Sequence, residues 1–123
     1  MKIRSHKELN VFMTSFELAL QIYQLSKDFP VEERYSLTDQ VRRSSRSVST
    51  NIAEAFRKRR YPKSFVAKLS DSDGEAAETQ VWISFATAFG YLDEQIALEL
   101  DEKYEQLEKQ LITMLLSPEK WST

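Results

Sequence analysis

The hydrophobic positions of this chain recur at helical spacing, and the strongest pattern runs from Gln40 to Arg60. When this segment is wound at about 100° per residue, its apolar and small side chains fall in one arc and its arginines in the opposite arc. The pattern predicts a helix with one core face and one cationic face. The inner arc contains Leu37, Val41, Ser44, Ser45, Val48, Asn51, Ile52, Ala55 and Phe56, and the outer arc contains Arg42, Arg43, Arg46, Arg57 and Arg60.

Three further segments have helical patterns and are separated by short connections. The last is the most regular, because its apolar residues alternate steps of three and four, as in helices packed at a shallow angle. Two glycines and three prolines leave little turn chemistry for a sheet protein. We therefore predict an all-α protein, an antiparallel up-down four-helix bundle that forms a single domain over residues 1–123. The helices are predicted at about residues 6–28, 37–59, 62–90 and 93–116.

Local signals support the predicted helix starts. Ser5 and Glu8 match a capping box at the start of the first helix, and Asp93 can cap the fourth. Gly74 lies in the middle of the third helix, where glycine costs about 1 kcal/mol relative to alanine. We expect either a close helix crossing or a kink at this glycine.

The first predicted helix has apolar residues on two nearly opposite sides. A helix in a monomeric four-helix bundle needs one buried stripe, and a second exposed stripe indicates an interaction surface. We therefore predict a homo-oligomer in which another copy of the chain covers one stripe. The first stripe contains Leu9, Phe12, Phe16, Ala19, Leu20 and Tyr23, and the second contains Val11, Leu18, Ile22 and Leu25.

Charge is unevenly distributed, although the formal net charge is only −2. The segment 42–68 contains nine basic residues and one acidic residue, so the rest of the chain is strongly acidic. A basic surface of this kind attracts polyanions, which predicts an RNA- or DNA-binding face. The candidate residues are Arg42, Arg43, Arg46, Arg57, Lys58, Arg59, Arg60, Lys63 and Lys68.

Three interpretations of the basic residues stay open: phosphate binding, pairing with acidic residues within the chain or between subunits, and binding to some other acidic partner. Phosphate binding would involve the nucleic-acid backbone with little sequence preference, because few aromatic residues are interleaved with the cations. In internal pairing, the arginines meet acidic residues of the third helix. The candidate pairs join Arg43 or Arg46 to Glu75 or Glu78.

Two polar residues of the second helix lie close to its apolar arc. Asn51 lies on the arc and Glu54 at its border. A polar side chain there needs a partner, and such residues often fix the register between helices. We predict a structural role for both, with a small polar pocket between helices as the alternative.

The residues that most enzyme and metal sites require are scarce. The chain has no cysteine, which excludes thiolate chemistry, and its one histidine is His6. Paired Glu-x-x-His motifs, a serine–histidine pair and a phosphate-binding glycine loop are therefore all absent. We expect a non-enzymatic protein without a cofactor, a metal or a small-molecule substrate.

The chain also lacks sequence signals for membranes or secretion. No stretch approaches the roughly 18 apolar residues that a membrane span needs, and the N-terminal residues form no apolar signal region. The absence of cysteine fits a reducing compartment. We therefore expect a cytoplasmic protein with no membrane partner.

The second helix resembles a known signature. Arg42-Arg43, Ser47-Val48 and Asn51-Ile52-Ala53-Glu54 are similar to R-R-x-x-x-S-I-x-x-N-I-A-E-G. This signature belongs to bacterial four-helix-bundle proteins first noted in intervening sequences of large-subunit ribosomal RNA genes. The flanking segments 19–30, 73–80 and 90–92 agree, so that the resemblance covers roughly residues 6–116. Ser49 stands where the family commonly has proline, and Ala55 stands where it has glycine.

The resemblance implies an antiparallel bundle that assembles into a ring, usually a homopentamer. A related branch, the accessory variability proteins of diversity-generating retroelements, forms similar pentamers that bind nucleic acid and a reverse transcriptase. That branch is strongly basic overall, whereas this chain has a net charge of −2. Our preferred prediction is therefore an oligomeric assembly or interaction module, and nucleic-acid binding through the second helix is the alternative.

Overall fold

The computed structural model describes residues 2–122, and four α-helices account for most of this length. No β-strand occurs in the described residues, so the predicted all-α class is confirmed. The terminal residues Met1 and Thr123 of the predicted domain lie outside the described part. The helices are α1 (Asn10–Ser26), α2 (Leu37–Arg57), α3 (Pro62–Ala88) and α4 (Glu94–Leu115). Short 3-10 turns lie at His6–Glu8, Val31–Glu33 and Pro118–Lys120.

Contacts between consecutive helices establish their antiparallel directions. On α1, Ser15 contacts Ser49 of α2, whereas Ser26 near the end of α1 contacts Arg42 near the start of α2. The same reversal holds between α2 and α3, and α4 packs against both α3 and α1. The α2–α3 pairs are Ser72 with the Val48 carbonyl, Thr79 with Ser44, and Lys68 with Glu54.

The core lies between the four helices, and α2 contributes its inward arc to it. Val48, Ile52 and Ala55 are completely buried, and they belong to one apolar cluster with Phe65 of α3 and Tyr104 of α4. Apolar burial is the main stabilising term in such a bundle. The predicted division of α2 into an apolar inner face and a cationic outer face is therefore confirmed.

The first helix differs from its predicted span at both ends. The capping box of Ser5 and Glu8 is present, but it caps a single 3-10 turn. Leu9 has an extended backbone, with φ −75° and ψ 131°, which separates that turn from α1. At the other end, α1 stops at Ser26. Pro30 disfavours helical geometry at Phe29, the residue before it, so the helix ends ahead of this position. The predicted span 6–28 was therefore wrong by several residues at its start.

The other helices end within two residues of the predictions. The backbone leaves helical geometry at Lys58, so α2 stops at Arg57 rather than at residue 59. A left-handed Gly90, with φ +83°, follows the end of α3. Asp93 caps α4 as predicted, because its carboxylate accepts two backbone N–H bonds. Around Gly74 an added Cβ would meet no atom within 4 Å, so the structure excludes a close helix crossing, one of the two alternatives for this glycine.

Candidate anion-binding surface

The cationic face of α2 lies opposite the buried residues of this helix, which include Val41, Val48 and Ile52. Its arginines, together with the basic residues that begin α3, are the nine candidates for anion binding. The structure divides these nine residues into three groups. Two pair with carboxylates, two contact an aromatic ring of α1, and five gather where α2 meets α3.

Arg43 forms ion pairs within the chain, as the internal-pairing interpretation predicts. Its guanidinium lies 3.4 Å from a carboxylate oxygen of Glu75 and also pairs with Glu78. The indole N–H of Trp82 donates to the same Glu78 carboxylate at 3.2 Å. Burial acts to lower the pKa of Arg43, but its bonds to Glu75 and Glu78 outweigh burial and raise the pKa. Arg43 is therefore committed to holding α2 against α3.

Lys68 makes a second bridge between the same helices. Its ammonium nitrogen lies 2.9 Å from a carboxylate oxygen of Glu54. This hydrogen bond lowers the pKa of the Glu54 carboxyl and raises the pKa of Lys68. The predicted structural role of Glu54 thus takes the form of an ion pair at the edge of the core.

Arg42 and Arg46 contact α1 through Tyr23. The Arg42 guanidinium lies 4.7 Å from the centroid of the Tyr23 ring, and its Nε donates to Ser26 at 2.7 Å. Arg46 lies 6.0 Å from the same centroid, and Lys27 lies 5.0 Å from it. Cations are attracted to aromatic faces at these distances. In the sequence, Tyr23 belongs to the first apolar stripe of the first helix. Its contacts with Arg42 and Arg46 were not predicted, because they join residues on different helices.

The remaining basic residues gather at the C-terminal end of α2. Arg59 lies 4.0 Å above the Phe56 ring and donates to the Phe56 carbonyl at 2.9 Å. These contacts fix the Arg59 side chain beside a cleft of about 440 Å³. The cleft is lined by Arg57, Arg59, Arg60, Tyr61 and Ser122. Ser122 was not among the predicted residues, because only the fold brings the C-terminal segment to this end of α2, whereas Tyr61 directly follows Arg60 in the sequence.

This end of α2 is the most available part of the cationic face. Within residues 2–122, none of Arg57, Lys58, Arg60 and Lys63 forms an ion pair, and all four are exposed. Cations at a helix C-terminus also stabilise its free carbonyl groups. The arrangement can bind a phosphate group electrostatically, because uncompensated positive charges surround a concave surface.

Asn51 forms its hydrogen bond within α2 and not between helices. Its side-chain amide donates to the Ser47 carbonyl at 2.9 Å, within the same helix. An intrahelical bond cannot fix the register between α2 and its neighbours. The side-chain amide of Asn51 needs no partner on another helix, because Asn51 lies at the edge of the core and is only partly buried.

Small hydroxyl residues make the buried polar contacts between helices instead. Ser15 of α1 lies 2.8 Å from Ser49 of α2, and Ser72 of α3 donates to the Val48 carbonyl at 2.8 Å. Thr79 of α3 also bonds Ser44 of α2 at 2.8 Å. These directional bonds connect α2 to both of its neighbours. Part of the signal for these bonds is in the sequence, because Ser44 lies on the inner arc of α2.

Apolar side chains are exposed at several places in residues 2–122, and two of the surfaces that they form lie along α1 and along α3. The first is a groove of about 750 Å³ between α1 and α2, which we call the α1–α2 groove. The second is formed by Val81, Phe85 and Phe89 along one side of α3, which we call the α3 ridge. The groove has a floor of small residues, Ala19, Ser49 and Ala53, and walls that include Phe12, Phe16, Leu20 and Tyr23.

The groove resolves the two-stripe pattern of α1. Val11, Leu18 and Ile22, from the second stripe, are buried in the core. Phe16 and Leu20, from the first stripe, are each 49% exposed. Leu9, at the start of the first stripe, is buried, so the part of that stripe that the bundle itself does not cover contains Phe16, Leu20 and Tyr23.

The acidic side chains in residues 2–122 include Glu108, whose carboxyl has a raised pKa. In residues 2–122 no group of three or more histidine, aspartate or glutamate side chains could hold a metal ion. Burial, with a contribution from the neighbouring Glu105, raises the pKa of the Glu108 carboxyl to about 7. The other charged groups that raise this pKa are Asp73 and Asp101, so Glu108 lies among acidic side chains.

The length and apolar character of the helices decide whether this part of the chain can cross a membrane. No helix in residues 2–122 combines the length and the apolar character needed to cross a bilayer.

Comparison with known proteins adds a family match. A family model described as 23S rRNA-intervening sequence protein matches residues 7–113, which include the whole basic segment. A solved structure from Bacteroides thetaiotaomicron, a protein of unknown function from the S23 ribosomal protein family, is similar with a TM-score of 0.76 and 26% identity. The match covers 85% of this chain and 94% of that one. No curated protein matches the chain.

Proposed function

The chain belongs to the 23S rRNA-intervening sequence protein family, and from its surfaces we propose that it is a non-enzymatic module that assembles with copies of itself into a ring-like homo-oligomer. The observation that carries this proposal is the uncovered stripe of α1. Phe16, Leu20 and Tyr23 are each more than a third exposed and lie on one side of the helix. Contiguous apolar patches of this kind mark interaction surfaces on soluble proteins.

The proposal is tested by measuring the mass of the protein in solution. Light scattering coupled to size exclusion, with samples from about 1 to 100 µM, spans the range in which micromolar interfaces form. We expect a mass several times that of the 14.4 kDa chain. The family resemblance sets five copies as the expected number. A mass equal to one chain at every concentration would overturn the proposal.

A second candidate function is binding to the phosphate backbone of RNA or DNA. It is favoured by the five basic residues around the end of α2, which form no ion pair within residues 2–122. Of the residues that line their cleft, one is aromatic, Tyr61, so the cleft offers one ring for base stacking. Recognition would therefore be largely independent of sequence, since phosphate contacts position a protein without specifying bases.

Salt titration tests this second function. The protein is titrated with duplex DNA and structured RNA between about 50 and 200 mM salt, where phosphate-dependent affinities fall steeply. Replacing both Arg57 and Arg60 by alanine should weaken binding to every sequence and reduce the slope of log K against log salt by about 1 to 2. Arg43→Ala is the matched control, because it removes a cation that is already paired. No binding at about 50 mM salt would exclude this function, and equal losses in both variants would exclude the end of α2 as its site.

A further inference from the structure

The α1–α2 groove and the α3 ridge differ in shape. The α1–α2 groove is concave, because small residues form its floor and larger side chains form its walls. The α3 ridge is convex, because the half-exposed rings of Phe85 and of Phe89, the residue that follows α3, lie side by side with 5.8 Å between their centroids. The convex α3 ridge is therefore complementary in shape to the concave α1–α2 groove.

We infer that the α3 ridge of one copy packs into the α1–α2 groove of the next, so that copies join head-to-tail. This inference rests on the proposed self-association and names the surfaces that carry it. A contact between two different patches is heterologous, and it leaves one groove and one ridge available at the ends of a pair. Further copies can then add until the assembly closes.

The area of the two surfaces favours this pairing over contact between like surfaces. Each of the six half-exposed side chains presents on the order of 100 Å², so a groove–ridge contact removes about 600 Å² of apolar surface from water. That approaches the apolar share of the smallest stable interfaces, which bury about 1,200 Å² in total. Pairing two grooves, or two ridges, would bury a similar area but leave the other patch of each copy exposed. The six residues are Phe16, Leu20, Tyr23, Val81, Phe85 and Phe89.

The chemistry of the groove suits aromatic side chains. Phe16 and Tyr23 offer rings for edge-to-face contacts with the incoming phenylalanines. Arg46 lines the same groove, so its guanidinium can cover an aromatic face of the ridge. Phe85 and Phe89 lie four residues apart, about 6 Å along the helix, and can therefore enter the groove side by side.

Two single substitutions separate the groove from the ridge. Leu20→Lys puts a charge into the groove, and Phe85→Lys puts one on the ridge. We expect each variant alone to be monomeric under conditions where the unmodified protein assembles. Leu98→Lys is the matched control, because Leu98 is 52% exposed on α4 whereas Leu20 is 49% exposed on α1. The control should assemble like the unmodified protein.

Mixing the two variants gives the decisive measurement. The intact ridge of Leu20→Lys can pack into the intact groove of Phe85→Lys, but neither resulting end can extend. We therefore expect a 1:1 dimer in native mass spectrometry, with twice the 14.4 kDa mass of one chain. Phe16→Lys and Phe89→Lys form a second pair, and circular dichroism verifies the helix content of each variant.

The outcomes distinguish this inference from the proposed function. An unmodified protein that stays monomeric overturns both. An unmodified protein that assembles, combined with a Phe85→Lys variant that still assembles alone, overturns only the groove–ridge pairing. A mixture that remains monomeric while the unmodified protein assembles also overturns the pairing.

Discussion

The hydroxyl oxygens of Ser15 on α1 and Ser49 on α2 lie 2.8 Å apart inside the bundle. Ser15 donates its own hydrogen to the Phe12 carbonyl at 2.9 Å, so Ser49 supplies the hydrogen of the contact between the helices. Both serines are buried, and Ser49 also lies in the floor of the α1–α2 groove. A pair of residues this small brings the two helices close together and leaves room above them for the groove.

Replacing Ser49 tests this close approach. Ser49→Ala removes one hydrogen bond and should lower the free energy of unfolding by about 1 kcal/mol. Ser49→Val adds volume where the helices meet and should cost about 1 to 3 kcal/mol. Urea unfolding followed by circular dichroism measures both. Ser70→Ala is the exposed control on α3, and a valine variant as stable as the alanine variant would contradict the prediction.

Replacing Gly74 should stabilise the protein. The glycine lies inside α3 and is exposed, and an added Cβ meets no atom within 4 Å. Gly74→Ala should therefore raise the free energy of unfolding by about 1 kcal/mol, the difference in helix propensity. Gly90→Ala provides the contrast, because its φ of +83° strains an alanine and should destabilise the fold. Equal effects of the two substitutions in thermal unfolding would refute the backbone argument.

The hydroxyl of Tyr104 is a buried group that the fold could lose. The side chain is completely buried, and its oxygen has no hydrogen-bond partner within residues 2–122. Burial raises the pKa of this phenol, so it stays uncharged. Tyr104→Phe keeps the ring and removes an unpaired polar atom, so stability should be unchanged or higher by about 1 kcal/mol. A loss of more than about 1 kcal/mol in urea unfolding would show that the hydroxyl makes a stabilising bond.

Glu108 should make stability depend on pH. Its pKa is raised to about 7 in the fold, from an ordinary value of 4.5. Between these two values the folded state holds a proton that the unfolded chain has lost, so stability falls as pH rises through this window. Glu108→Gln stays neutral throughout. Relative to the unmodified protein, it should gain about 1 kcal/mol between pH 5 and pH 8, an estimate reduced for solvent screening.

The matched control for this experiment is Glu102→Gln, which removes the same charge from an exposed position on α4. Chemical unfolding at several pH values gives the two stability profiles. If both variants follow the same profile, the burial of Glu108 does not govern the pH dependence.

The sequence predicted the helices well because their apolar spacing is regular. The inward arc of α2 and the Asp93 cap depend on residues close together in the chain, and both appear in the structure. Contacts between helices were harder to predict. Asn51 was expected to bridge helices, yet serine hydroxyls do so, because the outcome depends on which side chains meet across the interface.

The candidate site was predicted in part for the same reason. The density of arginines identified the cationic face, but not which cations are already paired. Arg43 is bound by two glutamates of α3, whereas Arg57 and Arg60 border an open cleft. The contribution of Ser122 to that cleft depends on where the fold places the C-terminal segment, which local sequence patterns do not encode.

The serine and threonine bonds that join α2 to α1 and α3 have a consequence for motion. They connect the middle of α2 to both neighbours, through Ser49 on one side and Ser44 with the Val48 carbonyl on the other. Opening the bundle locally at this point requires breaking bonds to two helices at once. The backbone amides of Val48 and Ile52 should consequently exchange with deuterium most slowly, at rates governed by unfolding of the whole bundle.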